Sequence, residues 1–516
     1  MKNSRIHNTV LNASAGMLVT ILNIFLTFFV RTIFIRTLGI QYTGVSSVFN
    51  DILNVLSFAE LGIGSAITYA LYKPIADANK QRIAELMTFY RRTYFAIAGI
   101  VFALGMALVP FLKLIITDVP DVSEDIRFIY VLYIIRTSLS YLFIYKSTLL
   151  TAAQKDYEVS KIKIVISLVK TCFECILLLV FHNFIVYLIF NIFITVSQNV
   201  LISAKANKIF PEIVYNNGQS ITKRERKKLF GDVRALFLYK VSGVVLNGTD
   251  SIVISTFIGT VFSGILGNYT LISNQLYNFI SQIFSASSAS IGNLAAVESK
   301  ESQYIVFKRL FFLCFVIYCF CSTCLWTLFQ PFISLWLGKK YLLSSFAVST
   351  LVCEFYIRGM LSPISSFRTS NGLFVQGKYR PVIMSIINIA VSIILASRIG
   401  VAGVLLGTII SRVVTQLWYD PMLIYKRVFN IPISKYFMLY GSYFFVMCLS
   451  CMLASFGIKL VNIYNMYIAF IVKGIIAAMV PIFVVTLLYS QTEEYQYLLK
   501  LVKKMVFKKS KRNDRL

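Results

Sequence analysis

The chain has 516 residues, 57% of them hydrophobic and only 14% charged, with a mean hydropathy of +0.74; soluble domains carry about 25% charged residues, which excludes a soluble fold. Lys and Arg number 50 against 22 Asp and Glu, a net charge of +28. In a soluble protein that balance points to nucleic acid; here the composition is that of an all-α polytopic membrane protein, and the basic residues must lie out of the lipid.

About 20 apolar residues carry a helix across a bilayer. On that basis the sequence predicts roughly fourteen spans: 10–37, 43–70, 93–116, 127–151, 161–181, 184–204, 235–258, 264–295, 307–329, 346–370, 381–398, 401–424, 436–457 and 463–489. The first run, from Val10, is too long for the core of a cleavable signal and has no small-residue cleavage site after it. With the N-terminus inside, the inner segments hold about 35 basic residues and the outer ones about five (Arg36, Lys339, Lys340, Arg398 and Lys459), the positive-inside asymmetry. Both termini are therefore expected in the cytoplasm. The run Lys223-Arg224-Glu225-Arg226-Lys227-Lys228 and the tail from Lys500 to Arg515 read as topology signals and anionic-lipid contacts, not as a nucleic-acid surface. The outer loop 117–125 carries acids and no base.

The nine cysteines lie in apolar runs, three pairs of them spaced Cys-x-x-Cys (172/175, 321/324 and 448/451). Zinc or redox chemistry uses that spacing, but cysteine is also a small hydrophobe that packs well within helices, and that reading is preferred. With only His7 and His182, a histidine-based metal or catalytic site is not expected. No phosphate-cradling Gly-x-x-x-x-Gly-Lys-Ser/Thr loop occurs. Nothing points to an enzyme or to a bound cofactor.

An internal repeat divides the chain. Leu38-Gly39-Ile40-Gln41-Tyr42-Thr43-Gly44 recurs as Ile258-Gly259-Thr260-Val261-Phe262-Ser263-Gly264, an offset of 220. The polar stripe Asn50, Asn54, Ser57 and Thr68 is matched by Thr270, Asn274, Tyr277 and Ser288. A second landmark has an offset of 222: Arg136, Lys146 and Gln154-Lys155-Asp156-Tyr157 correspond to Arg358, Arg368 and Gln376-Gly377-Lys378-Tyr379. The expected organisation is a six-span lobe (1–204), a basic cytoplasmic linker (205–234), a second six-span lobe (235–424), two appended spans (425–489) and a basic cytoplasmic tail (490–516). Six spans is an even number, so the two copies are parallel repeats, an architecture that in transporters places substrate between halves.

Fourteen spans arranged as 6+6+2, the Leu-Gly-x-x-x-x-Gly turn after the first span and the Ala59-Glu60-Leu61-Gly62-Ile63-Gly64 stretch in the second resemble the Wzx-type polysaccharide-biosynthesis flippases of the multidrug/oligosaccharidyl-lipid/polysaccharide (MOP) exporter superfamily. The resemblance covers most of the chain through diffuse motifs. It implies two lobes around a central cavity that move polyprenyl-pyrophosphate-linked oligosaccharide from the inner to the outer leaflet of the bacterial cytoplasmic membrane without ATP. The partners it implies are that substrate, membrane lipid and other polysaccharide-assembly proteins.

Ionisable groups inside spans cost about 2.5–3.5 kcal/mol at mid-helix and usually face protein or water. Here they are Arg31, Glu60, Arg136, Lys170, Glu174, Lys240, Asp250, Glu354, Arg358, Arg412 and Lys473. Arg136 and Arg358 lie roughly 14–18 Å along their spans, at 1.5 Å per residue. The planar fork of arginine suits a pyrophosphate, so these two, with Arg31, are the candidate pyrophosphate ligands. For Arg358 a local pair with Glu354, four residues before it, is the plainer alternative.

Arg31 and Asp250 fall at matching depth on the first helix of each lobe and are candidates either for a gating pair or for separate snorkelling. Glu60 is a candidate for exchanging a proton or holding a Na⁺, and equally for a counter-ion to Arg31 or Arg136. Lys170 and Glu174 read as a neutralising pair, so Glu174 and Glu354 stand as coupling or gating candidates with a simple ion-pair alternative. Asn50, Asn54, Thr270 and Asn274 are the candidate glycan-facing stripe. Coupling by H⁺ or Na⁺ stays open. Ser281, Ser285, Ser287, Ser288 and Ser290 suit sugar hydroxyls or close helix packing. Pro363 is expected to kink its span, and Trp326, Trp336 and Trp418 to anchor at the interface. The rival functions are a drug/cation antiporter of the same superfamily, which favours unpaired carboxylates, a membrane-embedded glycan polymerase or ligase, which needs a long outer loop this sequence lacks, and a non-transporting scaffold for glycan-assembly enzymes.

Overall fold

The computed structural model describes residues 2–60, 63–116, 122–211, 221–222, 225, 248–371, 373, 377, 379–460, 463–500 and 503. Every regular element among them is helical. Ten of the described helical segments are long and apolar enough to cross a membrane: Leu18–Thr37, Lys80–Ile115, Ile126–Ala152, Asp156–Phe181, Phe184–Ile209, Lys300–Trp336, Arg380–Ile399, Val401–Phe429, Ser434–Lys459 and Met466–Tyr489. Much of their apolar surface points outward. Met466–Tyr489, with a mean hydropathy of 2.6, is only 22% buried along its most apolar stretch and exposes Ile471, Phe483 and Leu487. Such a surface is stable only against lipid, where the helical ladder satisfies the backbone from within. The chain is a multi-pass, all-helical membrane protein.

Among the described residues, predicted span 93–116 passes through a 3₁₀ turn, Val109–Phe111, and spans 43–70 and 346–370 are broken rather than continuous. Within 43–70, the Ile40–Leu56 helix passes into a 3₁₀ turn, Ser57–Glu60, before a new helix, Ile63–Ala76. The Ser57 hydroxyl turns back to the Leu53 carbonyl at 2.8 Å, and Glu60 takes its partner from another helix. The break separates Ser57 and Thr68 from the Asn50/Asn54 stripe, so the four do not share one helix face. Within 346–370, the Ser345–Met360 helix stops and the Ser362–Ser370 helix starts with Pro363 in its first turn, where a missing N–H costs no hydrogen bond. The anticipated kink is a complete break. Predicted span 235–258 is described from residue 248, with Asp250–Phe257 helical; Lys240 and most of the basic linker lie outside the described residues. Predicted span 264–295 forms the middle of a 38-residue helix, Thr260–Val297.

Two compact units are present, Met1–Gly267 and Asn268–Leu516. In the first, both glycines of the repeated Leu/Ile-Gly-x-x-x-x-Gly motif have a physical role. Gly39 (φ +97°) and Gly259 (φ +136°) make the turns before their helices in backbone conformations that favour glycine. Gly44 and Gly264 let the two repeat-related helices cross with backbones in contact. A Cβ on Gly44 would sit 2.2 Å from the Thr260 carbonyl oxygen, and one on Gly264 would sit 2.8 Å from the Gly44 nitrogen. The crossing joins Asp250–Phe257 and the first turns of Thr260–Val297 to the N-terminal unit. Elsewhere in that unit, Ile67, Leu71, Met87, Tyr90, Tyr94 and Tyr145 build a buried cluster between the Ile63–Ala76, Lys80–Leu108 and Ile126–Ala152 helices.

In the second unit the core is aromatic. Phe307, Phe311 and Phe315 of the Lys300–Trp336 helix meet Tyr425, Tyr436 and Tyr443, with Phe315 stacked on Tyr443 at 4.2 Å. The appended C-terminal helices thus pack on Lys300–Trp336, and Lys308 ties the following segment through Glu494 at 2.7 Å.

Gly44→Ala and Gly264→Ala are each expected to destabilise the protein by about 1–3 kcal/mol through overpacking at backbone. Gly99→Ala, in a helix with open space around it, is expected to be neutral or stabilising by about 0.5–1 kcal/mol. Thermal midpoints in detergent check the contrast.

Candidate substrate-binding site

In the N-terminal unit, Arg136 projects from the Ile126–Ala152 helix towards Ile40–Leu56. Its Nη2 donates to Asn50 Oδ1 at 3.0 Å, and its guanidinium lies 4.7 Å from the centre of the Tyr133 ring. Asn50 is oriented for this role because its own Nδ2 donates to the Ser46 carbonyl at 2.7 Å. Among the described residues no carboxylate lies within ion-pair distance of Arg136. Its charge is held by an amide and an aromatic face alone.

Arg31 belongs to the same neighbourhood: Tyr133 hydrogen-bonds Ser46 and lies in the field of both Arg31 and Arg136, and the Arg31 guanidinium packs beside Gly267. Tyr187 lies in the fields of Arg136 and Glu174. Glu174 is buried and pairs with Lys170, four residues earlier on its helix, at 3.7 Å. Asp250 opens the short Asp250–Phe257 helix.

Glu60, at the end of the 3₁₀ turn, accepts a hydrogen bond from the Tyr94 hydroxyl at 2.8 Å. Tyr90 donates to Tyr94, and Tyr141 to Ser57, closing a ring of hydroxyls around the break. No cation pairs with Glu60 among the described residues. The alternative of a counter-ion to Arg31 or Arg136 therefore finds no ion pair there.

The C-terminal unit holds a related but differently charged arrangement. Arg358 Nη2 donates to Asn274 Oδ1 at 2.9 Å, and its guanidinium stacks 4.0 Å from the Tyr277 ring centre. Two repeat-related arginines thus each use an asparagine of the stripe and a tyrosine ring. The asparagines are not strict counterparts: at the 220 offset Asn274 matches Asn54, one helical turn beyond Asn50. Asn54 is exposed and Thr270 half-buried, and the acceptors are Asn50 for Arg136 and Asn274 for Arg358. Glu354 lies 3.9 Å from Arg358 Nε, so the local pair exists, but its shorter contact is with Arg412 Nη2 at 3.3 Å. Ser281 lines a cavity here with Arg358 and Arg412. The side chains of Ser285, Ser287, Ser288 and Ser290 lie outside the described residues.

Sequence reading missed two features. Arg412 was legible as a cation in an apolar helix, but not as a partner of Glu354, 58 residues away. Asp420 accepts from Arg368 Nη1 at 2.8 Å and lies 3.3 Å from Arg380 Nε, all three deeply buried. The only signal was an Asp within the Val401–Ile424 helix, and nothing local in the sequence names its partners.

The fold and these intramembrane charges define a class, that of helical membrane proteins holding cations within their spans. No known family profile matches the sequence, and no curated protein matches it either. Solved structures do. A lipid II flippase, MurJ, in an inward closed conformation is similar with a TM-score of 0.63 and 16% identity, over 93% of this chain and 99% of that one. An inward-facing multidrug resistance MATE family transporter of the MOP superfamily follows at 0.62 and 13%, over 80% and 98%. A MOP superfamily transporter from Pyrococcus furiosus, described as having a binding pocket of reversed polarity, matches at 0.53 and 12%, over 79% and 92%. The chain has the fold of the MOP superfamily transporters.

Asn50→Leu and Asn274→Leu, which leave each arginine without its acceptor, are each expected to cost about 1 kcal/mol. Asn54→Leu should stay within about 0.5 kcal/mol of wild type. Unfolding of the purified protein in detergent measures all three.

Proposed function

We propose that the protein is a transporter that flips polyprenyl-pyrophosphate-linked oligosaccharide from the inner to the outer leaflet of the bacterial cytoplasmic membrane, by alternating access, for cell-surface polysaccharide assembly. The observation that carries this reading is Arg136, a cation in a membrane span that, among the described residues, is held by neutral groups only. Such a charge is costly unless something it binds offsets the cost, and a pyrophosphate does so through charge-assisted hydrogen bonds. Arg358, with the same amide and aromatic support, is the second ligand, and Arg31 the third. The structural likeness to a protein described as a lipid II flippase supports a lipid-linked substrate.

Asn54 and Thr270, on the same polar stripe, meet the glycan. Arg31 and Asp250 form a gate that pairs in one state and parts in another. Glu60, with tyrosine hydroxyls around it and no cation paired with it among the described residues, binds the coupling H⁺ or Na⁺. Both termini lie in the cytoplasm, and the lobes divide at the basic linker.

Glu60 also favours a second reading, an antiporter of organic cations, since a carboxylate without a cation partner suits a positively charged drug. The MATE transporter among the similar structures agrees with it.

Proteoliposomes with fluorescent lipid-linked oligosaccharide test the proposal. Wild type should speed movement between leaflets, Arg136→Ala and Arg358→Ala should each slow it about tenfold or more, from loss of a charged hydrogen bond, and Arg136→Lys should fall between. No facilitated movement, or an Arg136→Ala protein equal to wild type, contradicts the flippase. Cation-driven ethidium efflux that depends on Glu60 and not on Arg136 would establish the antiporter instead.

A further inference from the structure

Glu354 is shared by two arginines and satisfies neither well. Guanidinium–carboxylate hydrogen bonds are about 2.7–2.9 Å long, whereas Arg412 is at 3.3 Å and Arg358 Nε at 3.9 Å, the latter atom buried with no hydrogen-bond partner. Among the described residues the two cations have this one carboxylate within ion-pair distance, an excess of positive charge. Beside it lies a cavity of about 250 Å³, lined by both arginines and by Gln416. Its remaining wall combines Tyr277, Ser281, Phe284 and Leu361 with a row of hydroxyls. Ser362, Ser365, Ser366 and Thr369 line it together, and their spacing of i, i+3, i+4 and i+7 is that of a single helix face. The helix that begins at the Pro363 break therefore presents hydroxyls where an apolar stripe would be expected. The volume falls below the roughly 300–1,000 Å³ of drug-sized sites, so it suits one sugar ring and not an oligosaccharide.

We propose that this cavity is a subsite for an anionic sugar, one that carries a carboxylate or a phosphate on its ring. Arg412 reads the charge, the hydroxyl face and Gln416 read the ring, and Glu354 holds Arg412 until the ligand replaces it. The proposal rests on the flippase reading and narrows its substrate to glycans with an acidic residue.

Titration of the full-length protein in detergent tests it, with glucuronate, glucose 1-phosphate, glucose and inorganic phosphate as probes and calorimetry as readout. At least one charged sugar should bind about tenfold or more tightly than glucose and inorganic phosphate, and the better of the two distinguishes carboxylate from phosphate. Arg412→Gln should weaken that binding about tenfold, whereas Glu354→Gln, which removes the competing carboxylate, should tighten it severalfold. Ser366→Val, which leaves the ion pair intact, should weaken binding with no change in thermal midpoint. A purely structural pair behaves differently: Glu354→Gln and Arg412→Gln then lower the midpoint and leave probe binding unchanged. Equal binding of glucose and the charged sugars, or wild-type binding by Arg412→Gln, overturns the proposal. If Arg412→Gln does not fold, unchanged binding in both Glu354→Gln and Ser366→Val overturns it. The titration requires no transport. Lost selectivity with intact leaflet-to-leaflet movement removes only the subsite, and intact selectivity without movement removes only the flippase.

Discussion

A charge carried into a membrane-spanning helix must find its partners inside the protein, because lipid offers none. That constraint shapes both units. Glu60 is reached by a tyrosine hydroxyl from the Lys80–Leu108 helix, at the point where the second predicted span gives up regular α-helix. Arg136 and Arg358 are each steadied by an asparagine and an aromatic ring. Asp420 draws two arginines into the interior of the C-terminal unit. The helix breaks at Ser57–Glu60 and Leu361 occur beside these polar groups, away from lipid, where a departure from regular helix is tolerated.

The two arginine arrangements share a plan and differ in charge. Among the described residues Arg136 has neutral partners only, so in the proposed site its charge faces no competing carboxylate. Arg358 shares Glu354 with Arg412, so an anion there must compete with a carboxylate already in place. The proposed flippase would benefit from such a difference, since binding must be strong enough to capture the substrate and weak enough to release it. A buried pair broken on one side leaves an uncompensated charge; a ligand anion on Arg412 avoids that cost because Glu354 still has Arg358 beside it. The unequal halves are therefore consistent with one arginine that captures and one that exchanges.

Much of the fold could be read in advance because membrane helices follow simple rules of length and apolarity. The repeated motif was legible, but its meaning came from the structure: Gly39 and Gly259 take positive φ at turns, and Gly44 and Gly264 allow backbones to touch, a contact between segments far apart in sequence. Arg136 and Arg358 stood out as equivalent charges in equivalent spans. The breaks were harder. Pro363 signals one, but Ser57–Glu60 looks like ordinary helix until the tyrosines of the Lys80–Leu108 and Ile126–Ala152 helices are in place. Arg412 with Glu354, and Asp420 with Arg368 and Arg380, could not be paired from spacing, because each contact joins helices far apart in sequence. The one-turn shift between Asn50 and Asn274 was also hidden, since it reflects how far each arginine reaches and not where the repeat aligns.

The central claim is that intramembrane arginines recognise the pyrophosphate of a lipid carrier. Native mass spectrometry of the full-length protein with matched polyprenyl pyrophosphate and polyprenyl monophosphate lipids tests it most directly. The account predicts that the wild-type protein prefers the pyrophosphate about tenfold or more, and that Arg136→Gln together with Arg358→Gln abolishes the preference while the protein stays folded. Equal retention of the two lipids by the wild type, or a preference that survives the double substitution, would contradict it.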